Sequence, residues 1–211
     1  MDVYIYGSIV RGELDDRSDI DVLTIVNKKE KSIASKKLPS YFTIYSQKRI
    51  KEYYDSGSLF AWHLYQDSKL IYSDGSDYLS KLGEPNSYRN QKHDLDIMIN
   101  LLNTAVRNVR MSSVNIIYEL GIIYAAIRNI GIIASWFDEV GFSCSRYVPF
   151  MLKNTKFPFK KDLYETLINC RHATTRGTIN INFTHITKIK LMITPLIKWA
   201  EQISNQILYE K

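Results

Sequence analysis

The chain has 211 residues, of which 45% are apolar, so it can form one large domain or two small ones around a hydrophobic core. It contains no run of 18 uncharged apolar residues and opens on a strand-like stretch, so we expect neither a membrane span or membrane partner nor a secretion signal. Two cysteines, Cys144 and Cys170, lack metal-ligand spacing. This predicts reduced packing residues in a cytoplasmic protein, although a bridge between them stays open.

The basic excess lies entirely in the second part of the chain. Residues 1–86 contain 12 Lys and Arg against 13 Asp and Glu, whereas residues 87–211 contain 16 against 9. The resulting positive charge suits a polyanionic partner or nucleotide phosphates better than a cationic small molecule. A solvated basic surface without a partner explains the same composition equally well.

Two strand-like runs and a pair of carboxylates occupy the first 26 residues. Val3–Tyr6 and Ile20–Val26 are apolar and β-rich, and the second run opens on Asp19 and Asp21. Side chains alternate faces along a strand, so these two carboxylates are expected to point the same way, about 7 Å apart. Two like charges at that distance repel unless a cation lies between them, and carboxylate oxygens suit Mg²⁺ or Mn²⁺.

A Gly-Ser pair follows the first strand. Gly7 and Ser8 would offer backbone N–H groups and a hydroxyl at a turn, which favours an anion such as phosphate. A phosphate-binding turn beside a metal-binding carboxylate pair is the apparatus of nucleotidyl transfer. The competing interpretation is a solvated acidic loop after a turn.

The N-terminal motif resembles that of the DNA polymerase β-like nucleotidyltransferase superfamily, in particular its minimal bacterial and kanamycin nucleotidyltransferase-like members. It reads Gly7-Ser8-Ile9-Val10-Arg11-Gly12 and then Ser18-Asp19-Ile20-Asp21-Val22-Leu23. The resemblance implies a nucleoside triphosphate substrate, with ATP as the first candidate, and a Mg²⁺ or Mn²⁺ cofactor. It also implies that Asp19 and Asp21 are catalytic and hold the metal, and that the nucleotide is bound by Gly7, Ser8, Arg11 and Ser18. A tethering role for Arg11 is the alternative.

The predicted third strand, Tyr41–Tyr45, departs from the family pattern. Members of the family place a third carboxylate on this strand, beside the carboxylate pair, to complete a two-metal site. Here the equivalent position is Thr43, and no Asp or Glu occurs from Leu38 to Ile50. Three explanations stay open: the third ligand comes from elsewhere, the enzyme works with a weaker site, or catalysis is lost.

The rest of the first 83 residues completes a small domain. The pattern predicts a Lys-rich loop over Asn27–Ser40, helices over Gln47–Asp55 and Ser58–Tyr65, an edge strand over Lys69–Tyr72 and a linker over Gly83–Ser87. His63 lies within the second helix, where packing is favoured over a functional role. We therefore predict a first domain over residues 1–83.

The pattern turns helical from Tyr88, which predicts a second, all-helical domain over residues 88–211 that binds the substrate or a partner. The expected helices cover Tyr88–Val109, a stretch from a cap at Ser112-Ser113 to about Asn129, Ile132–Val140, a short piece within 145–150, Lys160–Asn169, and Ile186–Leu208 with a kink or break at Pro195.

Three charged residues of this second domain are candidate site residues. Glu119 lies in a nearly all-apolar helix, where structural pairing competes with the general-base role that the resemblance to kanamycin nucleotidyltransferase-like proteins implies. Arg171 and Arg176 could bind phosphates through their guanidinium groups, or they could cap a helix end.

These observations predict an α+β protein, in which a small mixed β-sheet nucleotidyltransferase domain precedes a helical bundle and the nucleotide lies between the two. The expected function is metal-dependent transfer of a nucleoside monophosphate from a nucleoside triphosphate to an acceptor hydroxyl, with release of pyrophosphate. The acceptor stays open among RNA, a partner protein and a small molecule, and a homo-oligomer stays open as well. The alternatives are a catalytically degenerate, antitoxin-like module that binds a nucleotide or a partner, and an RNA-binding adaptor.

Overall fold

The computed structural model describes residues 1–14, 19–27, 29–75, 77–111, 114–177 and 181–209. Contacts between Cα atoms divide the chain into two compact units, Met1–Asn90 and Gln91–Lys211. The first unit contains a mixed four-stranded sheet with helices, and the described part of the second is helical. The predicted α+β fold class is therefore confirmed.

The sheet of the first unit has the order β3–β2–β1–β4. Its strands are β1 (Asp2–Tyr6), β2 (Asp21–Val26), β3 (Phe42–Ser46) and β4 (Ser68–Ser73). β1 pairs antiparallel with β2 and β4, whereas β2 and β3 are parallel. Two predictions are thereby confirmed: the third strand lies beside the carboxylate strand, and β4 is an edge strand.

Four helices accompany this sheet: α1 (Lys31–Lys37), α2 (Gln47–Asp55), α3 (Leu59–Asp67) and α4 (Tyr78–Leu82). α2 and α3 begin where predicted because the hydroxyls of Ser46 and Ser58 accept hydrogen bonds from the first-turn N–H groups of Arg49 and Ala61. One face of the sheet packs on the helices, with the core formed by Tyr4, Leu23, Ile25, Ile50, Tyr54, Ala61, Leu64 and Leu79.

The prediction of a loop over the Lys-rich segment Asn27–Ser40 is wrong in part, because α1 lies within this segment. Only Ala34 of this helix is buried, so its sequence carries almost no apolar periodicity from which a helix could be recognised. Lys28, which belongs to the same segment, lies outside the described residues.

The predicted linker over Gly83–Ser87 lies within the first compact unit, Met1–Asn90, and the predicted domain bounds stay predictions. Asn86 joins the linker to this unit: its backbone N–H donates to the Tyr54 carbonyl at 3.0 Å, and its side chain donates to the Asp55 carbonyl at 2.7 Å. The indole N–H of Trp62 donates in turn to the Asn86 carbonyl at 3.0 Å. A polar Gly-Pro-Asn-Ser composition does not reveal such backbone contacts.

The second unit is organised around one apolar helix. Its helices are α5 (Gln91–Met111), α6 (Ile116–Ser135), α7 (Val148–Met151), α8 (Lys161–Arg176) and α9 (Phe183–Tyr209), and α6 packs against the other four. Among the described residues, α6 alone is long and apolar enough to cross a membrane, and half of its apolar window is buried in the structure. The predicted cap at Ser112-Ser113 lies outside the described residues.

Three helix boundaries differ from the prediction, and at one of them tertiary packing overrides a local breaker. α6 continues through Gly131, where a Cβ would lie 3.0 Å from Val148 Cγ1, so this glycine allows α7 to approach and does not end the helix; no separate helix covers 132–140. α8 extends beyond Asn169 to Arg176. α9 begins at Phe183, three residues before the predicted start; it contains Pro195, and the predicted kink at this residue stays a prediction.

The carboxylate of Asp138 organises the loop that follows α6. It accepts hydrogen bonds from the backbone N–H groups of Val140, Lys153 and Asn154, at 2.9–3.1 Å. Burial acts to raise the pKa of Asp138, but these hydrogen bonds outweigh burial and leave the pKa below its ordinary value. The charged form therefore stabilises the fold.

Replacing Asp138 with Ala should lower the free energy of unfolding at neutral pH by about 2 kcal/mol, because backbone donors lose a charged acceptor. Since the pKa is lowered on folding, this contribution is present above the unfolded-state pKa of about 3.9 and is lost as the pH falls through the folded-state value. Urea unfolding of both proteins along a descending pH series measures the two effects.

Glu139→Ala is the matched control, because Glu139 is exposed and its ion pair with Lys153, at 3.5 Å, is also exposed. It should cost less than about 0.5 kcal/mol. Equal losses in the two variants would contradict the role of Asp138.

Candidate active site

The candidate site begins where β1 ends and β2 starts. Tyr6 lies opposite Asp21 in the antiparallel register, and a 3₁₀ turn over Gly7–Ile9 follows β1 directly. Gly7 has φ +79°, a left-handed conformation that favours glycine. A Cβ built on Gly7 would lie 3.1 Å from Oδ2 of Asp21. The structure thus brings the Gly-Ser turn into contact with one of the two predicted metal carboxylates.

The other residues of the motif surround this contact. Ser8 lies in the same turn, and its hydroxyl has no hydrogen-bond partner among the described residues. Asp19 and Asp21 are both exposed, but β2 begins at Asp21 and Asp19 precedes it, so the strand alternation predicted for the pair does not extend to Asp19. Ser18 lies outside the described residues, and its predicted nucleotide contact stays a prediction.

Thr43 lies on the same face of the sheet as Asp21. It pairs with Leu23 in the parallel register, and Leu23 shares a face with Asp21 because alternate residues of a strand do so. Burial and then the charge of Asp21 raise the pKa of Tyr6 against the opposing effect of Thr43, so the phenol stays protonated at neutral pH. The neutral hydroxyl of Thr43 therefore lies on the face that carries Asp21.

Arg11 ties the turn to α3. Its Nη1 donates to Oδ2 of Asp67 at 2.7 Å and contacts Nε2 of His63 at 3.3 Å, while its Nε donates to Oε2 of Glu13 at 3.1 Å. Burial acts to lower the pKa of Arg11, but the Asp67 and Glu13 carboxylates outweigh it and raise the pKa. The guanidinium is 16% exposed and paired with two carboxylates, so it holds the chain that follows the Gly-Ser turn against the end of α3.

The charge balance of this corner is acidic. The carboxylates of Glu13, Asp19, Asp21 and Asp67 lie on the turn, on the start of β2 and on the end of α3. Arg11 is paired with two of them, Glu13 and Asp67. Exposed carboxylate oxygens and an excess of negative charge suit a hard divalent cation such as Mg²⁺ or Mn²⁺.

Two neighbours of the turn were not predicted as functional residues. His63 places its Nε2 3.6 Å from the Cβ position of Gly7, and its ring packs on Tyr6 with 5.7 Å between centroids. Asp67 follows His63 by four residues on α3, so both reach the same side of the helix. That helical spacing was the available signal, but the sequence does not reveal that this side meets the Gly-Ser turn.

Two of the three candidate residues of the helical unit, Glu119 and Arg176, have local partners. Glu119 lies in the first turn of α6 and accepts a hydrogen bond from Nδ2 of Asn108 at 3.0 Å. Arg171 and Arg176 both lie on α8, five residues apart and so about 140° apart around the helix, which does not form a clamp on one face. Arg176 contacts Nε2 of His172 at 3.2 Å. Catalytic or phosphate-binding roles for these three residues stay predictions.

Residues 1–77 match the family described as polymerase beta, nucleotidyltransferase. A comparison with curated proteins finds no match. Among solved structures, the chain is similar to the crystal structure of a spectinomycin adenyltransferase from Enterococcus faecialis, determined with ATP and spectinomycin. The identity is 14% and the TM-score 0.48, over 95% of this chain and 91% of that chain. The family match includes all four strands, the Gly-Ser turn and both aspartates of the motif.

Gly7→Ala should weaken Mn²⁺ binding, because the added Cβ would displace the Asp21 carboxylate. It should also cost about 1–2 kcal/mol of unfolding free energy, since φ is positive. Gly12→Ala is the control: Gly12 has φ +70° but nothing within 4 Å of its Cβ position. We expect a comparable loss of stability and unchanged Mn²⁺ affinity for the control, measured by urea unfolding and electron paramagnetic resonance. Equal Mn²⁺ affinities in the two variants would contradict the contact.

Proposed function

We propose that the chain transfers a nucleoside monophosphate from a nucleoside triphosphate to an acceptor hydroxyl, because residues 1–77 match the polymerase β family of nucleotidyltransferases. The observation that carries the proposal is the contact between the Gly-Ser turn and Asp21, with 3.1 Å between the Gly7 Cβ position and Oδ2. An anion-binding turn that touches a cation-binding carboxylate is the arrangement that a metal-bound triphosphate requires.

The residues of the corner suit a divalent cation. Asp19 and Asp21 are exposed carboxylates at the start of β2, and Glu13 and Asp67 add negative charge that Arg11 offsets only in part. Asp19 and Asp21 would hold Mg²⁺ or Mn²⁺ through their oxygens. A bound ion would neutralise charge on the α-phosphate and on the leaving pyrophosphate.

The reaction forms one bond and breaks one at the α-phosphorus. The acceptor oxygen attacks this phosphorus, the bond to the bridging oxygen breaks, pyrophosphate leaves, and the hydroxyl proton passes to a base. Gly7 and Ser8 would hold the β- and γ-phosphates through N–H groups and the Ser8 hydroxyl, so that the attack is in line. The Tyr6 phenol, protonated at neutral pH, is unsuited to the role of base. Glu119 remains the candidate for that role.

The acceptor is best sought among anionic molecules. Residues 87–211 carry 16 basic against 9 acidic side chains, which favours RNA over a cationic aminoglycoside. A hydroxyl of a partner protein or of a small molecule is the other candidate. Incubating the protein with cell extract and α-labelled nucleotide, and then treating it with ribonuclease or protease, distinguishes these acceptors by what releases the label.

Thr43 supports a second candidate function, a nucleotide-binding or partner-binding module without catalysis. The position where family members place a third carboxylate carries Thr43, whose neutral hydroxyl binds a second divalent ion poorly. Such a module would bind a nucleotide with Mg²⁺ and release no pyrophosphate.

Pyrophosphate release tests both candidates. The wild-type protein is assayed with ATP, GTP, CTP and UTP in turn, with Mg²⁺ or Mn²⁺ and cell extract as the source of acceptor. The Asp19→Asn/Asp21→Asn variant should lower the rate by about 10³-fold or more, because it removes several kcal/mol of transition-state stabilisation. Asp55→Asn, an exposed carboxylate paired with Lys51 on α2, is the matched control and should leave the rate unchanged.

The outcomes separate the candidates. Release that depends on Asp19 and Asp21 supports the transferase. Nucleotide binding with Mg²⁺ but no release supports the non-catalytic module. Release that persists in the double variant would refute the assignment of these carboxylates.

Thr43→Asp should tighten Mn²⁺ binding by about tenfold, because it adds a carboxylate on the face that carries Asp21 and affinity rises with ligand charge. Thr43→Asn is the control, since it has the same shape without the charge. Mn²⁺ titration followed by electron paramagnetic resonance compares the two variants. If the affinity of Thr43→Asp equals that of Thr43→Asn, residue 43 does not face the cation site.

A further inference from the structure

The imidazole of His63 reaches the Gly-Ser turn from α3. Its Nε2 lies 3.6 Å and its Cε1 3.8 Å from the Cβ position of Gly7, and the Asp21 carboxylate lies 3.1 Å from the same position. The ring also packs edge-on against Tyr6, with 5.7 Å between centroids. His63 and Asp21 therefore flank the one residue of the turn that has no side chain.

The partner of His63 decides which nitrogen carries the proton. Nη1 of Arg11 lies 3.3 Å from Nε2 of His63. A guanidinium has only donors, so Nε2 must be the acceptor, and the neutral ring then carries its proton on Nδ1. Nε2 also lies 3.5 Å from Oδ2 of Asp67, which accepts from the same Nη1 of Arg11 at 2.7 Å, so His63 and Asp67 meet the guanidinium at one nitrogen.

His63, Asp67 and Glu13 together set the plane of the Arg11 guanidinium. Nη1 donates to Asp67 at 2.7 Å and contacts His63 at 3.3 Å, and Nε donates to Glu13 at 3.1 Å. Because the guanidinium is a rigid fork, three acceptors on two of its nitrogens allow it one orientation.

The backbone transmits this orientation to the turn. The N–H of Arg11 donates to the Gly7 carbonyl at 3.3 Å, and the N–H of Glu13 donates to the Ser8 carbonyl at 2.9 Å. Arg11 and Glu13, which are also paired through their side chains, are thus hydrogen-bonded through their backbones to the two residues proposed to hold the triphosphate.

We infer that His63 is a positioning residue of the triphosphate site: its neutral imidazole accepts from Arg11 on Nε2 and thereby holds both the guanidinium and the Gly7–Glu13 turn in the phosphate-binding arrangement. This inference rests on the proposed function, because it assigns His63 to the nucleotide that this function requires. Through Arg11, His63 would position the triphosphate of the nucleotide; it would not position the acceptor.

The first test is the protonation of the ring, which needs no activity. Long-range ¹H–¹⁵N spectra of the ¹⁵N-labelled protein at neutral pH should show His63 with its proton on Nδ1 and an unprotonated Nε2, assigned by comparison with His63→Gln. A proton on Nε2 would overturn the inference, because that nitrogen could not accept from Arg11.

The second test compares two conservative variants. Gln places its amide oxygen at the position of Nε2, whereas Asn reaches only the position of Nδ1. His63→Asn should raise the KM for the nucleotide about tenfold with kcat changed less than about threefold, and His63→Gln should stay within about twofold of the wild type. His93→Asn, an exposed histidine on α5, is the matched control. Equal effects of Asn and Gln would overturn the inference, because general packing would then explain both.

Coupling to Arg11 is the third readout. In an Arg11→Lys background the guanidinium fork is gone, so His63→Asn should then change the KM less than about twofold. An undiminished effect in that background would mean that His63 acts independently of Arg11.

Calorimetric binding of ATP with Mg²⁺ separates failure of this inference from failure of the proposed function. If no variant or wild-type protein releases pyrophosphate, but affinities follow the order wild type, His63→Gln, His63→Asn, the transferase proposal fails and the role of His63 stands. If the wild type releases pyrophosphate and the Gln and Asn variants do not differ, the transferase proposal stands and the role of His63 fails.

Discussion

The candidate site depends on the lack of a side chain at Gly7. The antiparallel register of β1 and β2 places Tyr6 opposite Asp21, and the chain then turns through a left-handed residue directly beside the carboxylate. With Oδ2 of Asp21 only 3.1 Å from the Cβ position, a larger residue at position 7 would push the carboxylate away from the turn. A cation and a phosphate can therefore lie close together here, because position 7 has a left-handed φ that favours glycine and carries no side chain to separate them.

The second constraint is the charge of Arg11. The Arg11 side chain is only 16% exposed, and burying its charge is costly unless carboxylates pair with it. Asp67 and Glu13 form these ion pairs. Because these two acidic residues outnumber the arginine that they neutralise, the corner retains the negative charge that a divalent cation requires. The same ion pairs join the turn to α3. Structural support and site electrostatics thus come from one set of contacts, in which His63 also takes part.

The helical unit depends on close approach between backbones. A Cβ at Gly121 would lie 3.1 Å from the Cα of Arg171, so the backbones of α6 and α8 approach closely because residue 121 has no side chain. Gly131 allows a similarly close approach between α6 and α7. Cys170 is fully buried beside this contact, and burial raises its pKa to about 12, which makes it a packing residue and not a reactive thiol. Both cysteines are free, in agreement with their spacing in the sequence. Packing, and not helix propensity, decides how far these helices extend.

The sequence by itself determined the strands, the Gly-Ser turn, the acidic start of β2 and the fold class, because side-chain alternation and turn chemistry are local properties of a few neighbouring residues. Tertiary structure alone decided three further features: the continuation of helices through Gly131 and Pro195, the packing of the segment around Asn86 on the first unit, and the meeting of His63 with Arg11. The physical reason is the same in each case. A helix survives a breaker when burial outweighs the local cost, and residues 52 positions apart meet only when the whole unit has folded around them.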